Sequence, residues 1–253
     1  MRLLLLGYGK MGKAIEQVAV QRGHYIMHKL DSSAALATID PKTIDVALEF
    51  TQPEAAYNNI YQCLTKGIPV LSGTTGWLDK KEVLDKYCQA RQGTFFYASN
   101  FSIGMNIVFK VNALLAKLMD HHPAYKVEVE EVHHVEKKDA PSGTALTLAA
   151  GIVQNMRRKQ QWALAPVQQE DTLAIVAKRA EDVAGTHKVT YATSMDTLTL
   201  QHTAHSRTSF ALGAVLVAEW LQDKQGILGM EDFLKLADLA CNKPNEVHEK
   251  SSS

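Results

Sequence analysis

Residues 2–19, RLLLLGYGKMGKAIEQVA, decide the fold. The apolar run over 2–6 reads as a strand. Gly7-Tyr8-Gly9-Lys10-Met11-Gly12 follows, and Ala14, Ile15, Val18 and Ala19 then recur at helical spacing. Strand, glycine turn and helix with G-x-G-x-x-G spacing form a dinucleotide-binding fingerprint. Its first glycine permits the tight turn, the second lets backbone approach a pyrophosphate, and the third lets helix pack on strand. The spacing alone is a weak signal, and a merely glycine-rich turn is the competing reading. The flanks weigh against it: a second strand over 25–30 ends at Asp31, nineteen residues beyond Gly12, where an acid binds the adenosine ribose hydroxyls.

Asp31 also bears on cofactor choice. A carboxylate there repels a 2′-phosphate, and Ser32 and Ser33 follow with no arginine to offset it. Lys10 and Lys13 offer a compensating charge. NADH is therefore expected as the better donor, with NADPH tolerated.

Working outward, strands near 3–6, 25–30, 44–50, 68–72 and 94–98 alternate with helices near 10–21, 53–66 and 79–91. That alternation predicts an α/β fold, a Rossmann-like doubly wound parallel sheet over 1–101. From about 102 the pattern changes. A helix (104–120), a strand (126–134) and a helix (142–159) precede β-rich runs at 173–181, 187–194 and 196–205, and a helix over 207–222 follows. Short turns such as Ser194-Met195-Asp196 join antiparallel or mixed strands. An α+β domain with an open mixed sheet is expected over 102–225, for substrate binding and oligomerisation, with one sheet face free to meet helices or another subunit. A C-terminal helix over 226–243 is expected to pack back on the first domain, and 249–253 reads as a frayed tail.

The densest chemistry lies in EEVHHVEKKDAPSGTAL, residues 130–146. Val127, Val129 and Val132 precede it as a strand that should end near His134. Ala145, Leu146, Leu148, Ala149, Ile152, Val153 and Met156 follow as a helix that should begin at Ser142. The loop between them carries His133, His134, Lys137, Lys138 and Asp139, and such loops commonly display catalytic groups. Histidine exchanges protons near neutrality. Lysine brings a fixed positive charge to an anion, or a proton once its neighbours lower its pKa. Pro141 suits an early helical position. Ser142, Gly143 and Thr144 open a helix whose first amides lack internal partners and can bind a carboxylate. The bland readings are a structural histidine, a solvated lysine turn and an Asp139 helix cap. Adjacent strand residues point to opposite faces, so His133 and His134 cannot both serve one atom unless the strand has already broken. The joint spacing favours an anionic small molecule held at a helix start with acid groups beside it.

Two further loops end strands of the predicted sheet. Gly73-Thr74-Thr75-Gly76 follows the fourth and Ala98-Ser99-Asn100-Phe101 the fifth. Open α/β sheets bind ligands at carboxyl ends of strands. Threonines and an asparagine there suit a nicotinamide amide and ribose, although either loop alone is more often only a turn. Residues 99–102 also stand at the domain junction, where a hinge would close one domain on the other.

Composition excludes several classes. At 253 residues the chain can hold two modest domains, and 27 basic residues against 27 acidic ones give no field for nucleic acid or an anionic membrane. Cys63, Cys88 and Cys241 form no CxxC, so disulfides and a zinc ribbon are not expected and a reducing compartment fits. The apolar start is too short for a signal peptide. The stretch 210–221 is broken by Glu219 and falls short of the ~18–20 residues that span a bilayer. A cytoplasmic chain without membrane attachment is expected.

These motifs resemble the 4-hydroxy-tetrahydrodipicolinate reductase (dihydrodipicolinate reductase) family of lysine biosynthesis, through nearly the whole chain. Residues 133–145 match the family signature HHxxKxDAPSGTA at every fixed position; GYGKMG (7–12), EFTQPEA (49–55), GTTG (73–76), NFSIGMN (100–106) and HSRTSFALGAV (205–215) support it. The fingerprint is shared by many families, whereas the thirteen-residue signature is highly specific. The resemblance implies that His133 is the catalytic acid/base and Lys137 a second proton donor. It implies that His134, Lys137, Gly143 and Thr144 bind the substrate carboxylates. It implies cofactor contacts from Gly7, Tyr8, Gly9, Lys10, Met11, Gly12, Asp31, Gly73, Thr74, Thr75, Ala98, Ser99, Asn100 and Phe101. The amides from Ser142 onward belong to the same anion site by the helix-start argument. NADH or NADPH as donor, a cyclic imine formed by loss of water as the reducible substrate, and a homotetramer joined through second-domain sheets are also implied. Glu49 stands where many members have aspartate, a change expected to be harmless. The short segment after Asp31 bears on the adenosine contacts.

Three rivals are weighed. Another small nicotinamide-dependent amino-acid dehydrogenase, such as an aspartate or homoserine dehydrogenase, would carry a different motif over 130–145. A nucleotide-sensing protein without turnover would not need Lys137 beside His133. A metal protein would use His121-His122, His133-His134 and His202-x-x-His205, but adjacent histidines rarely place both nitrogens on one ion, so no metal is expected.

Overall fold

The computed structural model describes residues 1–31, 33–137, 139–181 and 183–236. Ser32, Lys138, and the expected helix and tail beyond 236 lie outside the described residues. The first half runs β1 (Arg2–Leu6), α1 (Lys10–Gln21), β2 (Tyr25–Leu30), β3 (Val46–Glu49), α2 (Pro53–Thr65), β4 (Val70–Ser72), α3 (Lys81–Ala90) and β5 (Thr94–Tyr97). The chain continues as α4 (Ile103–Met119), β6 (Lys126–His133), α5 (Gly143–Asn155), β7 (Gln161–Leu164), β8 (Thr172–Arg179), β9 (Gly185–Ala192), β10 (Thr197–Ala204), α6 (Thr208–Trp220), β11 (Gly226–Leu228) and α7 (Met230–Phe233).

The first sheet has six strands in the order β11-β5-β4-β3-β1-β2. Every pairing in it is parallel. Both faces of β1 are buried, which the leucine run requires. Leu3 and Leu5 pack with Ile15, Val18 and Ala19 of α1 and with Ala211, Val215 and Ala218 of α6. Leu4 and Leu6 pack on the opposite face with Ile60 and Leu64 of α2 and Leu84 of α3. The chain leaves β1 toward β2 and returns on the other side as β3. The strand order therefore reverses between β1 and β3, the place where open α/β sheets hold ligands.

The second sheet is mixed, in the order β10-β9-β6-β8-β7. β6–β8 and β7–β8 are parallel, whereas β6–β9 and β9–β10 are antiparallel. Along β6, Val127, Val129, Glu131 and His133 form one buried row. Val127 and Val129 pack beneath α4 and α5 together with Leu148, Ile152, Ile175 and Tyr191. Glu130 of the opposite face pairs with Lys178 at 2.5 Å and Lys188 at 2.8 Å.

Three elements differ from expectation. α5 stops at Asn155 because Met156 is extended, at φ −128° and ψ 103°, and the short edge strand β7 follows. Residues 226–228 form β11, parallel to β5, instead of opening a helix; Gly226 at φ +104° is not helical, and Ile227 and Leu228 extend the sheet edge. α6 was expected with the second domain, yet its buried side chains pack on the first sheet. Gly213 makes this close approach possible, since a Cβ there would lie 1.8 Å from the Phe101 carbonyl oxygen.

Candidate active site

The glycine turn follows β1 at the reversal point. Gly7 has φ +91°, and a Cβ on it would meet the Phe50 carbonyl oxygen at 2.2 Å. A Cβ on Gly12 would lie 2.2 Å from the Gly7 oxygen, whereas Gly9 has nothing within 4 Å. Two glycines are thus filled by backbone and the middle one faces open space, as a pyrophosphate cradle requires. α1 begins at Gly9 with no side-chain cap and no acidic residue in its first turn, which leaves its first amides and the positive end of its dipole for an anion. Asp31, at the end of β2, accepts the Tyr8 amide at 2.9 Å. Tyr8 donates its hydroxyl to Glu16, which also pairs with Lys29 at 2.5 Å. Lys10 and Lys13 are exposed beside the turn. These residues fit a dinucleotide.

A cleft of about 370 Å³ continues along the strand ends, between Met11, Phe50, Thr51, Thr75, Asn100 and Phe210. Its floor is organised by a group that sequence reasoning set aside. Glu49 is wholly buried and accepts the Ser72 hydroxyl at 2.6 Å, the Thr74 hydroxyl at 3.0 Å and the Thr51 amide at 3.1 Å. The Thr74 hydroxyl therefore donates internally, while Thr74 lines the cleft with Gly73 and Thr75, of which Thr75 is the exposed one. Ala98 is buried and donates its amide to Ser72 at 3.2 Å. Phe101 is buried against Phe50 and Phe96, with ring centroids 5.4 and 5.9 Å away. These two residues anchor the loop, while the Ser99 and Asn100 side chains lie at the cleft.

The 133–144 loop is joined to the same cleft: Asn100 donates to the Thr144 hydroxyl at 3.3 Å. β6 ends at His133, so His134 already belongs to the following turn, its carbonyl accepting the Lys137 amide at 3.1 Å. The strand break leaves His133, and not His134, on the buried row. Lys137 pairs with Asp139 at 2.8 Å. Asp139 is thus the lysine's partner and not the helix cap; Ser142 caps α5, accepting the Ala145 amide at 3.2 Å, and Pro141 precedes the cap. Gly143 has nothing within 4 Å of a built Cβ, so the helix start is open to an anion. Arg179 braces the loop from β8, donating to the carbonyls of Lys137 at 3.3 Å and Asp139 at 2.7 Å.

Behind the loop lies a buried group that the sequence reading missed. Glu131 has no exposed surface, and both its oxygens face the Ser142 amide, at 3.0 and 3.1 Å. His133 Nδ1 lies 3.5 Å from it and His187 Nε2 3.8 Å. The two imidazoles meet edge to face with centroids 5.0 Å apart. Burial lowers the His133 pKa, Glu131 opposes that shift, and Lys137 and Arg179 reinforce it. Burial also pushes His187 down to about 3, so it is neutral at ordinary pH. Glu131, His133 and His187 bring possible metal-ligand atoms within 4.8 Å of one another; His121, His122, His134, His202 and His205 are not in that group. The available signal was the alternation of β6 and β9, which sends Glu131 and His187 to buried registers where polar side chains need partners.

A glycine cradle at the strand ends, with a loop of imidazoles and a lysine joined to the neighbouring cleft through Asn100 and Thr144, has the parts of an oxidoreductase. Two comparisons narrow this. The dihydrodipicolinate reductase N-terminal family profile matches residues 1–101 and the C-terminal profile matches 104–234. The chain belongs to the dihydrodipicolinate reductase family. It is 47% identical over 234 residues to a 4-hydroxy-tetrahydrodipicolinate reductase of Christiangramia forsetii, covering 92% of this chain and 98% of the relative. A Chromobacterium violaceum protein of the same name is 34% identical over 213 residues, covering 81% and 78%. Among solved structures, a dipicolinate-bound dihydrodipicolinate reductase from Paenisporosarcina sp. TG-14 shares the fold with a TM-score of 0.73 at 22% identity, covering 92% of this chain and 98% of that one. Among the described residues no helix is long and apolar enough to cross a membrane.

Proposed function

We propose that the protein reduces (4S)-4-hydroxy-2,3,4,5-tetrahydrodipicolinate, by way of dihydrodipicolinate, to 2,3,4,5-tetrahydrodipicolinate in the diaminopimelate route to lysine. The observation that carries this reading is the Asn100–Thr144 hydrogen bond, which puts the acid/base loop against the cofactor cleft. A reduced nicotinamide, when bound, supplies the hydride. Loss of water leaves a conjugated C=C–C=N unit; hydride addition builds negative charge on it, and His133 donates the proton that quenches this charge, with Lys137 as second donor. Lys137, His134 and the amides and hydroxyls of Ser142, Gly143 and Thr144 hold the two carboxylates. Those carboxylates favour the charged form of His133, against the effect of burial.

Following NADH absorbance after adding freshly made pathway precursor tests this directly: stoichiometric oxidation is expected. No oxidation, with NADH still bound, would leave a nucleotide sensor or another dehydrogenase in its place.

Asp31 and the commitment of Lys29 to Glu16 favour NADH. Steady-state kinetics should give NADH the larger kcat/KM and NADPH measurable turnover, and a strong NADPH preference refutes this. We also propose a cytoplasmic homotetramer; the exposed residues of β10 leave a sheet face for a partner subunit, and light scattering should then report four times the chain mass.

A further inference from the structure

Among the described residues, His133 Nδ1 is buried and has no hydrogen-bond partner. The Glu131 carboxylate lies 3.5 Å from it. That carboxylate has about four acceptor positions; among the described residues its hydrogen bonds come from the Ser142 amide, and the Arg179 guanidinium stands 3.8 Å away. An acceptor position on Glu131 is thus left for the Nδ1–H. His187 has a nearer partner than Glu131: its Nε2 lies 3.1 Å from Ser142 Oγ and 3.8 Å from the carboxylate. On the far side of the ring, Gly185 leaves room, since a Cβ there would lie 3.2 Å from His133 Nε2. Catalytic hydrogen bonds are often long in free enzymes and tighten in the complex.

We propose that Glu131 is the positioning residue of His133: it accepts the Nδ1–H of the imidazolium, so that the Nε2 proton, on the side facing Gly185, is the one given to substrate and the neutral ring is left as the Nδ1–H tautomer. This is the division of labour between a buried carboxylate and an imidazole in hydrolytic triads. It rests on the reading of His133 as the acid.

The groups facing the ring are Glu131 on its own strand, Lys137 and Asp139 on the loop, Arg179 on β8 and His187 on β9. Lys137 and Arg179 disfavour the imidazolium, whereas Glu131 and Asp139 favour it, Glu131 more strongly. Removing the Glu131 charge therefore makes His133 lose its proton at lower pH. Only the protonated ring donates, so the limb of kcat/KM that falls with rising pH moves downward.

The test compares Glu131→Gln, Glu131→Asp and His133→Gln in the full chain, with ring ¹⁵N NMR beside kinetics. Glu131→Gln is expected to lower kcat roughly tenfold or more and to leave KM within about threefold. It should also move the falling limb about one pH unit lower and remove the Nδ1–H tautomer signal. Glu131→Asp should restore part of kcat and most of the limb position. An unmoved titration and tautomer in Glu131→Gln overturns the proposal while leaving His133 as the acid. Wild-type turnover in His133→Gln overturns the acid assignment itself. If Glu131→Gln does not fold, a wild-type ring ¹⁵N spectrum in which neutral His133 is not the Nδ1–H tautomer overturns the proposal.

Discussion

Replacing His133 or Lys137 by alanine is expected to lower turnover by about two orders of magnitude or more, the range for loss of a positioned general acid. The two variants should differ in their remaining kinetics. His133 contributes chiefly to the proton transfer, so its loss falls mainly on kcat. Lys137 also neutralises Asp139, at 2.8 Å. Without the ammonium, that carboxylate stands unpaired beside a dianionic substrate, and KM should rise as kcat falls. Steady-state kinetics against both substrates separates these effects. Near-wild-type turnover in both variants would remove the assignment.

Gly7→Ala should cause the largest loss of stability and of nucleotide affinity together. The left-handed φ of +91° opposes any Cβ, and that Cβ would sit 2.2 Å from the Phe50 carbonyl oxygen. The ends of β1 and β3 would have to separate at the position where the cradle is built. Strain and overpacking together are expected to cost roughly 2–5 kcal/mol. NADH affinity should fall at least about tenfold, because the amides of Tyr8 and the α1 start would be displaced. Urea unfolding and NADH fluorescence titration measure the two losses. Wild-type values in both would show that the turn tolerates a side chain.

The parallel sheet was legible because its determinants are local: a leucine run, a glycine turn and a terminal Asp31 lie within thirty residues. The mixed character of the second sheet followed from short turns. β11 was not legible, since three residues at a sheet edge carry no period and their strand identity comes from β5 alongside. The assignment of α6 to the first sheet depends on Gly213 meeting Phe101, a contact between distant segments. At the site, the loop's histidines, lysine and helix start could be read as a cluster. Glu131 and His187 could not, because their meaning lies in pairing across β6 and β9. Nothing in GTTG shows that the Thr74 hydroxyl also serves Glu49, a contact made only once the strand ends meet.

The chain passes between its two sheets beside Phe101 and again before α6, and these passages touch. Ser102 Oγ lies 3.3 Å from His202 Nε2, and α6 lies directly on the Phe101 backbone. A body held by two adjacent pins keeps only the swing about the line through them, while sideways slip and twist are blocked. Any such swing would return Thr144 to its place 3.3 Å from Asn100, so the alignment of these two loops is inherited from the backbone crossings.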